Sequence, residues 1–203
     1  VIAALFVHHD GCYAGLAGVD AWPESRDARL YSGPHPVVAH PPCTRWCQLA
    51  GLVQHRWGHK VGEDGGCFAS ALASVRKWGG VLEHPAYTKA WPAYGLPTPP
   101  RAGGWLRTPC GGWVAHVEQL RYGHPARKAT WLYAHGVESL PELRWGVSPA
   151  GAARAIVSRN TNHLRADDTR PRIDKKNAAA TPPAFRDVLL SIARSVRVPA
   201  EVA

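Results

Sequence analysis

The chain has 203 residues, 45% hydrophobic and 19% charged, which excludes a disordered polymer and leaves room for one domain with a sizeable core. Its formal charge of +9 points to an anionic partner, nucleic acid first, because Lys and Arg neutralise phosphates. Its five cysteines are odd in number and lack the spacing of a secreted disulfide framework, and the apolar run VIAALFV is too short for a signal segment or a membrane span.

These features predict a cytoplasmic, monomeric protein with reduced thiols and no membrane association. AALFV (3–7) reads as a buried strand, followed by the turn HHDGCYAG, whose Asp-Gly pair favours tight hairpin geometry. GVDAW (18–22) is a second strand with Asp20 near its end, and VVAH (37–40) a third. Residues 51–64 are rich in Gly, His and Lys and read as a loop. Phe68, Ala71, Leu72, Val75 and Trp78 then fall on one helical face, with Glu63 and Asp64 before the start and Gly79-Gly80 after the end. VLEHP (81–85) is a short strand stopped by a proline, and 92–112 is a Pro/Gly-rich loop. WVAHVEQ and ATWLYAHG supply two more apolar runs of strand character. The polar, basic region 148–180 reads as loop, and TPPAFRDVLLSIARSV closes as a helix, with Thr181 as N-cap and Phe185, Val188, Leu189 and Ile192 on its buried face. Strands alternating with helices predict an α/β domain, its sheet mostly parallel with helices on both faces.

In such sheets ligands bind beyond the carboxyl ends of the strands. Cys43 and Glu83 each end or follow a strand, so both belong to one rim. The stretch VVAHPPCTRWC carries the chemistry: two prolines stop the strand and hold a thiol on a stiff turn. A rival use of the same region is zinc, because His40, Cys43 and Cys47 cluster with His55 and His59 downstream.

Pro42-Cys43 after a strand resembles the nucleophile motif of the cytosine carbon-5 DNA methyltransferases, and Glu83 in VLEHP resembles that family's ENV motif. RYGHPARKATWLYAHG (121–136) is similar to its tyrosine-glycine motif, and KNAAATPPAFRDVLLSIA (176–193) to its closing motif, in the family's order. The resemblance implies a Rossmann-like methyltransferase fold in a single catalytic domain, 1–203, with a small basic target-contacting segment near 137–176. It implies DNA as partner and S-adenosylmethionine as cofactor, and suits a bacterial or phage-infected cell. Cys43 is then the nucleophile that adds to carbon 6 of cytosine, and Glu83 the acid that holds and helps protonate the ring. The base must first leave the stack for an aromatic, basic cleft. His40, Pro42, Arg45, Trp46, His84, Tyr122, Arg127, Lys128 and Thr130 are the expected substrate contacts. Phe6, Asp20, Asn177 and Thr181 are the expected cofactor contacts.

The chain also departs from the family. LFVHHDGCYAGLAGVDAW lacks the Phe-x-Gly-x-Gly loop that cradles the cofactor, Lys128 and Thr130 replace two arginines, and His84 replaces the asparagine of ENV. The alternatives are a relative that applies the same cysteine and glutamate chemistry to another pyrimidine modification, without S-adenosylmethionine, and a non-catalytic zinc-bearing nucleic-acid-binding protein.

Overall fold

The computed structural model describes residues 1–149, 151–157 and 169–197. Four short apolar runs form β1 (Ile2–Val7), β2 (Val19–Pro23), β3 (Val37–Ala39) and β4 (Gly80–Pro85), with β2 pairing β1, β1 pairing β3 and β3 pairing β4, all parallel. The later runs give β5 (Leu106–Arg107), β6 (Trp113–Glu118) and β7 (Ala129–His135), each antiparallel to its neighbour. The sheet order is β2-β1-β3-β4-β7-β6-β5. The protein is therefore α/β, with a seven-stranded mixed sheet whose first four strands are parallel. The antiparallel half follows from a short return: residues 119–128 fold back so that the Gln119 N–H donates to the Lys128 carbonyl (2.9 Å), with no crossover helix between the strands.

Alternate residues of each strand serve two separate cores. Ala3, Leu5, Val37, Ala39 and Leu82 pack with Phe68, Ala71, Leu72 and Val75 of the helix α2 (Cys67–Trp78). Ile2, Ala4, Val38 and Val81 pack with Phe185, Leu189, Leu190 and Ile192 of α5 (Pro183–Arg194). Each fully buried Leu, Ile or Phe contributes roughly 1.5–3 kcal/mol, so these two seams dominate the apolar stabilisation. Asp64 starts α2: its carboxylate accepts from the backbone N–H groups of Gly66 (3.0 Å) and Phe68 (2.8 Å), and from Trp46 Nε1 (2.8 Å).

Gly80 opens β4 at φ +119°, and a Cβ there would lie 1.9 Å from the Val37 carbonyl oxygen. The close β3–β4 pairing therefore requires glycine.

Several expectations are corrected. Residues 51–57 of the expected loop belong to α1 (Ala50–Trp57), which ends on Gly58 at φ +71°. HHDGCYAG is a turn, with Gly11 N–H bonded to the His8 carbonyl (3.0 Å), yet it makes no hairpin because β2 runs parallel to β1. The N-cap of α5 is Pro182, not Thr181, and no side chain caps it. Within 92–112 the chain forms β5 and the end of a short helix, α3 (Ala90–Ala93). In the basic region, β8 (Ile156–Val157) pairs with β9 (Arg172–Ile173), followed by α4 (Lys175–Ala179). Residues 158–168 of the expected target-contacting segment lie outside the described residues.

The chain leaves β1 toward β2 on one side and returns to β3 on the other. Their carboxyl ends consequently diverge, the place where open α/β sheets form a crevice.

Candidate active site

The β3–β4 ladder sets Ala39 opposite Leu82, which brings His40 beside Glu83 at the rim. His40 Nδ1–H donates to Glu83 Oε2 (2.8 Å), and Gln119 Nε2 donates to Glu83 Oε1 (3.0 Å). The same Gln119 nitrogen donates to Thr130 Oγ1 (3.0 Å), whose hydroxyl donates to the Lys128 carbonyl (3.3 Å). Tyr13, in the turn after β1, donates its hydroxyl to His40 Nε2 (2.9 Å). Four segments distant in sequence thus close one polar network. Cys43 lies half-buried three residues beyond His40, on the Pro41-Pro42 turn.

The electrostatics are consistent with an ionised Glu83. Burial pushes its carboxyl up, but the Lys128 ammonium, the His40 hydrogen bond and the neighbouring histidine rings outweigh it and hold the group at about 2. Lys128 is fixed for this purpose, donating from Nζ to the carbonyls of Ala179 (2.8 Å) and Ala180 (3.1 Å). Burial raises the Cys43 thiol, and the Glu83 carboxylate raises it further. Burial also keeps the Tyr13 hydroxyl protonated well above the ordinary range. An ionised Glu83 can only accept, so His40 carries its proton on Nδ1 and, while neutral, turns an acceptor Nε2 toward Tyr13.

Tyr13 and Gln119 are not among the expected site residues; one lies in the turn after β1 and the other opens the 3-10 segment Gln119–Tyr122, just ahead of the tyrosine-glycine stretch. The expected Glu83 acid is corrected in one respect: at neutral pH its carboxylate has no proton to give. Of the expected substrate contacts, His40, Lys128 and Thr130 join the network, though Thr130 is fully buried. Pro42 is exposed and Arg45 half-exposed on the turn beside Cys43.

Three other expectations are overturned by burial. Trp46 is core, its ring against Phe68 and Tyr94 and its N–H on Asp64. His84 points into the same core, edge-on to Phe68, where burial lowers its ring to about 4. Tyr122 packs on Phe185 and accepts from the Arg144 N–H (2.8 Å). Arg127 is exposed, but its guanidinium donates to the Ser148 (2.5 Å) and Pro149 (3.2 Å) carbonyls and so anchors the following segment.

The expected cofactor contacts do not share one cavity. Asp20 is engaged by Arg26 Nη1 (2.5 Å) and Trp22 Nε1 (2.8 Å), and Phe6 sits at φ +57° where β1 breaks register. A cavity of about 480 Å³ at the ends of β1 and β2 is lined by His8, His9, Pro23, Glu24 and Ser25. Asn177 and Thr181 line another, of about 260 Å³, with His124 and Pro182. The two regions are nevertheless tied together: Lys176 Nζ donates to Asp10 (2.9 Å) and Arg186 Nη1 to the Cys12 carbonyl (2.9 Å).

Among the described residues, the only Cys, His and carboxylate group with converging donor atoms is His8, His9 and Asp10. The zinc set around Cys43 and Cys47 therefore does not assemble. Cys110 contrasts with Cys43: burial raises its thiol, but hydrogen bonds from Thr108 and Tyr133, the Gly112 N–H and the Arg76 charge bring it down to about 7. No helix among the described residues is long and apolar enough to cross a membrane. No family model, no curated protein and no solved structure matches this chain.

Proposed function

We propose that the protein modifies a pyrimidine in DNA by transient addition of Cys43 to carbon 6 of the ring, most simply to methylate cytosine at carbon 5. The observation that carries this reading is the placement of Cys43 on a rigid turn at the sheet's carboxyl rim, next to the buried Glu83–His40 pair. Thiol addition turns the ring into an enamine, nucleophilic at carbon 5, and an ionised carboxylate beside it is suited to hold the exocyclic amino group. The net charge of +9 supports a polyanionic substrate, with the enzyme acting as a monomer. The parallel β2-β1-β3-β4 run and its reversal between β1 and β3 support a Rossmann-like methyltransferase domain.

S-adenosylmethionine would supply an electrophilic methyl group. The cavity at the ends of β1 and β2 fits such a ligand in volume, and Glu24 and Ser25 offer an acceptor and a hydroxyl to its ribose. Glu24 takes the role expected of Asp20, whose carboxylate is already engaged. That engagement, and the absence of the glycine loop, favour the second reading, a pyrimidine modification without this cofactor. Calorimetric titration with S-adenosylmethionine and S-adenosylhomocysteine, with and without DNA, separates the two, since absence of binding removes methyl transfer. The addition chemistry itself is tested with a duplex containing 5-fluorocytosine. The native protein should form a covalent adduct and Cys43→Ala none; an adduct that survives the substitution sinks the reading.

A further inference from the structure

We propose that His40 is the proton carrier for Cys43, with Glu83 as its fixed anionic partner and Tyr13 as the residue that sets its tautomer. This rests on the thiol-addition reading above and deepens it. A half-buried thiol that faces a carboxylate does not ionise by itself, so addition to a ring requires a base within the site. Glu83 is poorly placed for that role, because both its oxygens already accept hydrogen bonds, from His40 and Gln119. Tyr13 keeps its proton. Lys128 is a cation held by two carbonyls. His40 is the group that remains, and its geometry suits the task.

Its ring is clamped at both nitrogens, with Nδ1–H on Glu83 and Nε2 facing the Tyr13 hydroxyl. A proton gained at Nε2 gives an imidazolium whose Nδ1–H lies 2.8 Å from a Glu83 oxygen. The Tyr13 hydroxyl can rotate from donor to acceptor or turn aside. The side chain retains 13% exposure, and Cys43, three residues further along the Pro41-Pro42 turn, shares with it the influence of the Glu83 carboxylate. The titratable groups that contact it are Glu83 from β4 and Tyr13 from the turn after β1, and Lys128, just before β7, acts on the same Glu83 carboxylate.

The step balances within the site. The thiol S–H bond breaks and its proton forms an N–H bond at Nε2. The sulfur bonds to carbon 6, the C5–C6 pair becomes the C4–C5 double bond, and the former C4–N3 pair takes the proton back from Nε2 at N3. From the unsubstituted adduct, elimination of the cysteine runs these proton transfers in reverse.

The test requires neither DNA nor a methyl donor. Alkylation of Cys43 by iodoacetamide at pH 7 is followed by peptide mass spectrometry, with Cys110 as internal reference. His40→Asn keeps a donor for Glu83 but has no base, and should slow Cys43 alkylation about tenfold while Cys110 is unchanged. Slowing of less than threefold overturns the proposal. Should this variant not fold, long-range proton–nitrogen NMR of the native protein reads the tautomer directly. A proton on Nδ1 with a bare Nε2 is expected, and a neutral ring protonated at Nε2 overturns the assignment. If both readouts come out as expected while the 5-fluorocytosine adduct fails to form, the substrate reading falls and the His40 assignment stands.

Discussion

Ala39 and Leu82 face one another across the parallel β3–β4 pair, and that register is what sets His40 against Glu83. The residues that would act on a substrate are therefore positioned by two fully buried apolar neighbours whose packing tolerates no slip, because a one-residue shift would turn each side chain to the other face.

The buried carboxylate makes stability depend on acid. Glu83 titrates at about 2 in the folded protein against an ordinary 4.5, so its contribution is fully present above about pH 4.5 and is lost as pH falls through about 2. Melting temperatures measured from pH 6 to pH 2.5 should fall more steeply for the native protein than for Glu83→Gln. Parallel curves would show that the charge at this position does not contribute to folding.

The thiols should separate chemically. Cys110 is brought down to about 7, whereas burial and the Glu83 charge raise Cys43. At pH 7 and limiting iodoacetamide, peptide mapping should find Cys110 modified first and Cys43 later. Replacing Arg76 with Gln removes the cation 3.5 Å from the Cys110 sulfur and should slow its labelling severalfold.

Asp64 joins the start of α2 to Trp46 through three accepted hydrogen bonds. Asp64→Ala leaves the Trp46 N–H and the first N–H groups of the helix without that acceptor and should cost about 2 kcal/mol. Urea unfolding followed by tryptophan fluorescence measures this, and a loss below about 0.5 kcal/mol would be incompatible with the cap as described.

Gly80→Ala should be among the most damaging single-methyl substitutions. The added carbon meets the Val37 carbonyl at 1.9 Å, in a backbone conformation that side chains rarely adopt. A loss of about 3 kcal/mol or more is expected, visible as poor soluble expression or a strongly lowered melting temperature.

The sequence makes some of this arrangement legible and hides the rest for physical reasons. AALFV, VVAH and VLEHP are compact apolar runs closed by turn residues, so β1, β3 and β4 lie close to where the pattern indicates. The faces of α2 and α5 follow from their 3.6-residue spacing. Strand direction is another matter: WVAHVEQ and ATWLYAHG bury the same side chains whichever way they run, and only the short return between them makes β6 and β7 antiparallel. Helix α1 hides behind Gly51 and the polar residues of its flanks, a composition that suits loops equally well. Cys43 and Glu83 stand out because chemistry-bearing residues end apolar strands. Tyr13 and Gln119 do not, because their places depend on how distant segments meet. Trp46 illustrates the opposite error: proximity to a candidate site residue in sequence is no guide to whether a side chain faces the site or the core.

One fastening has a further consequence. The ammonium of Lys128 is secured by the carbonyls of Ala179 and Ala180, which lie 51 and 52 positions further along the chain. During synthesis the residues of β3 and β4 leave the ribosome before those carbonyls do. Until those carbonyls are in place the Lys128 ammonium lacks its two fixed acceptors, so shortening the chain before Ala179 would leave Glu83 without a secured counter-charge.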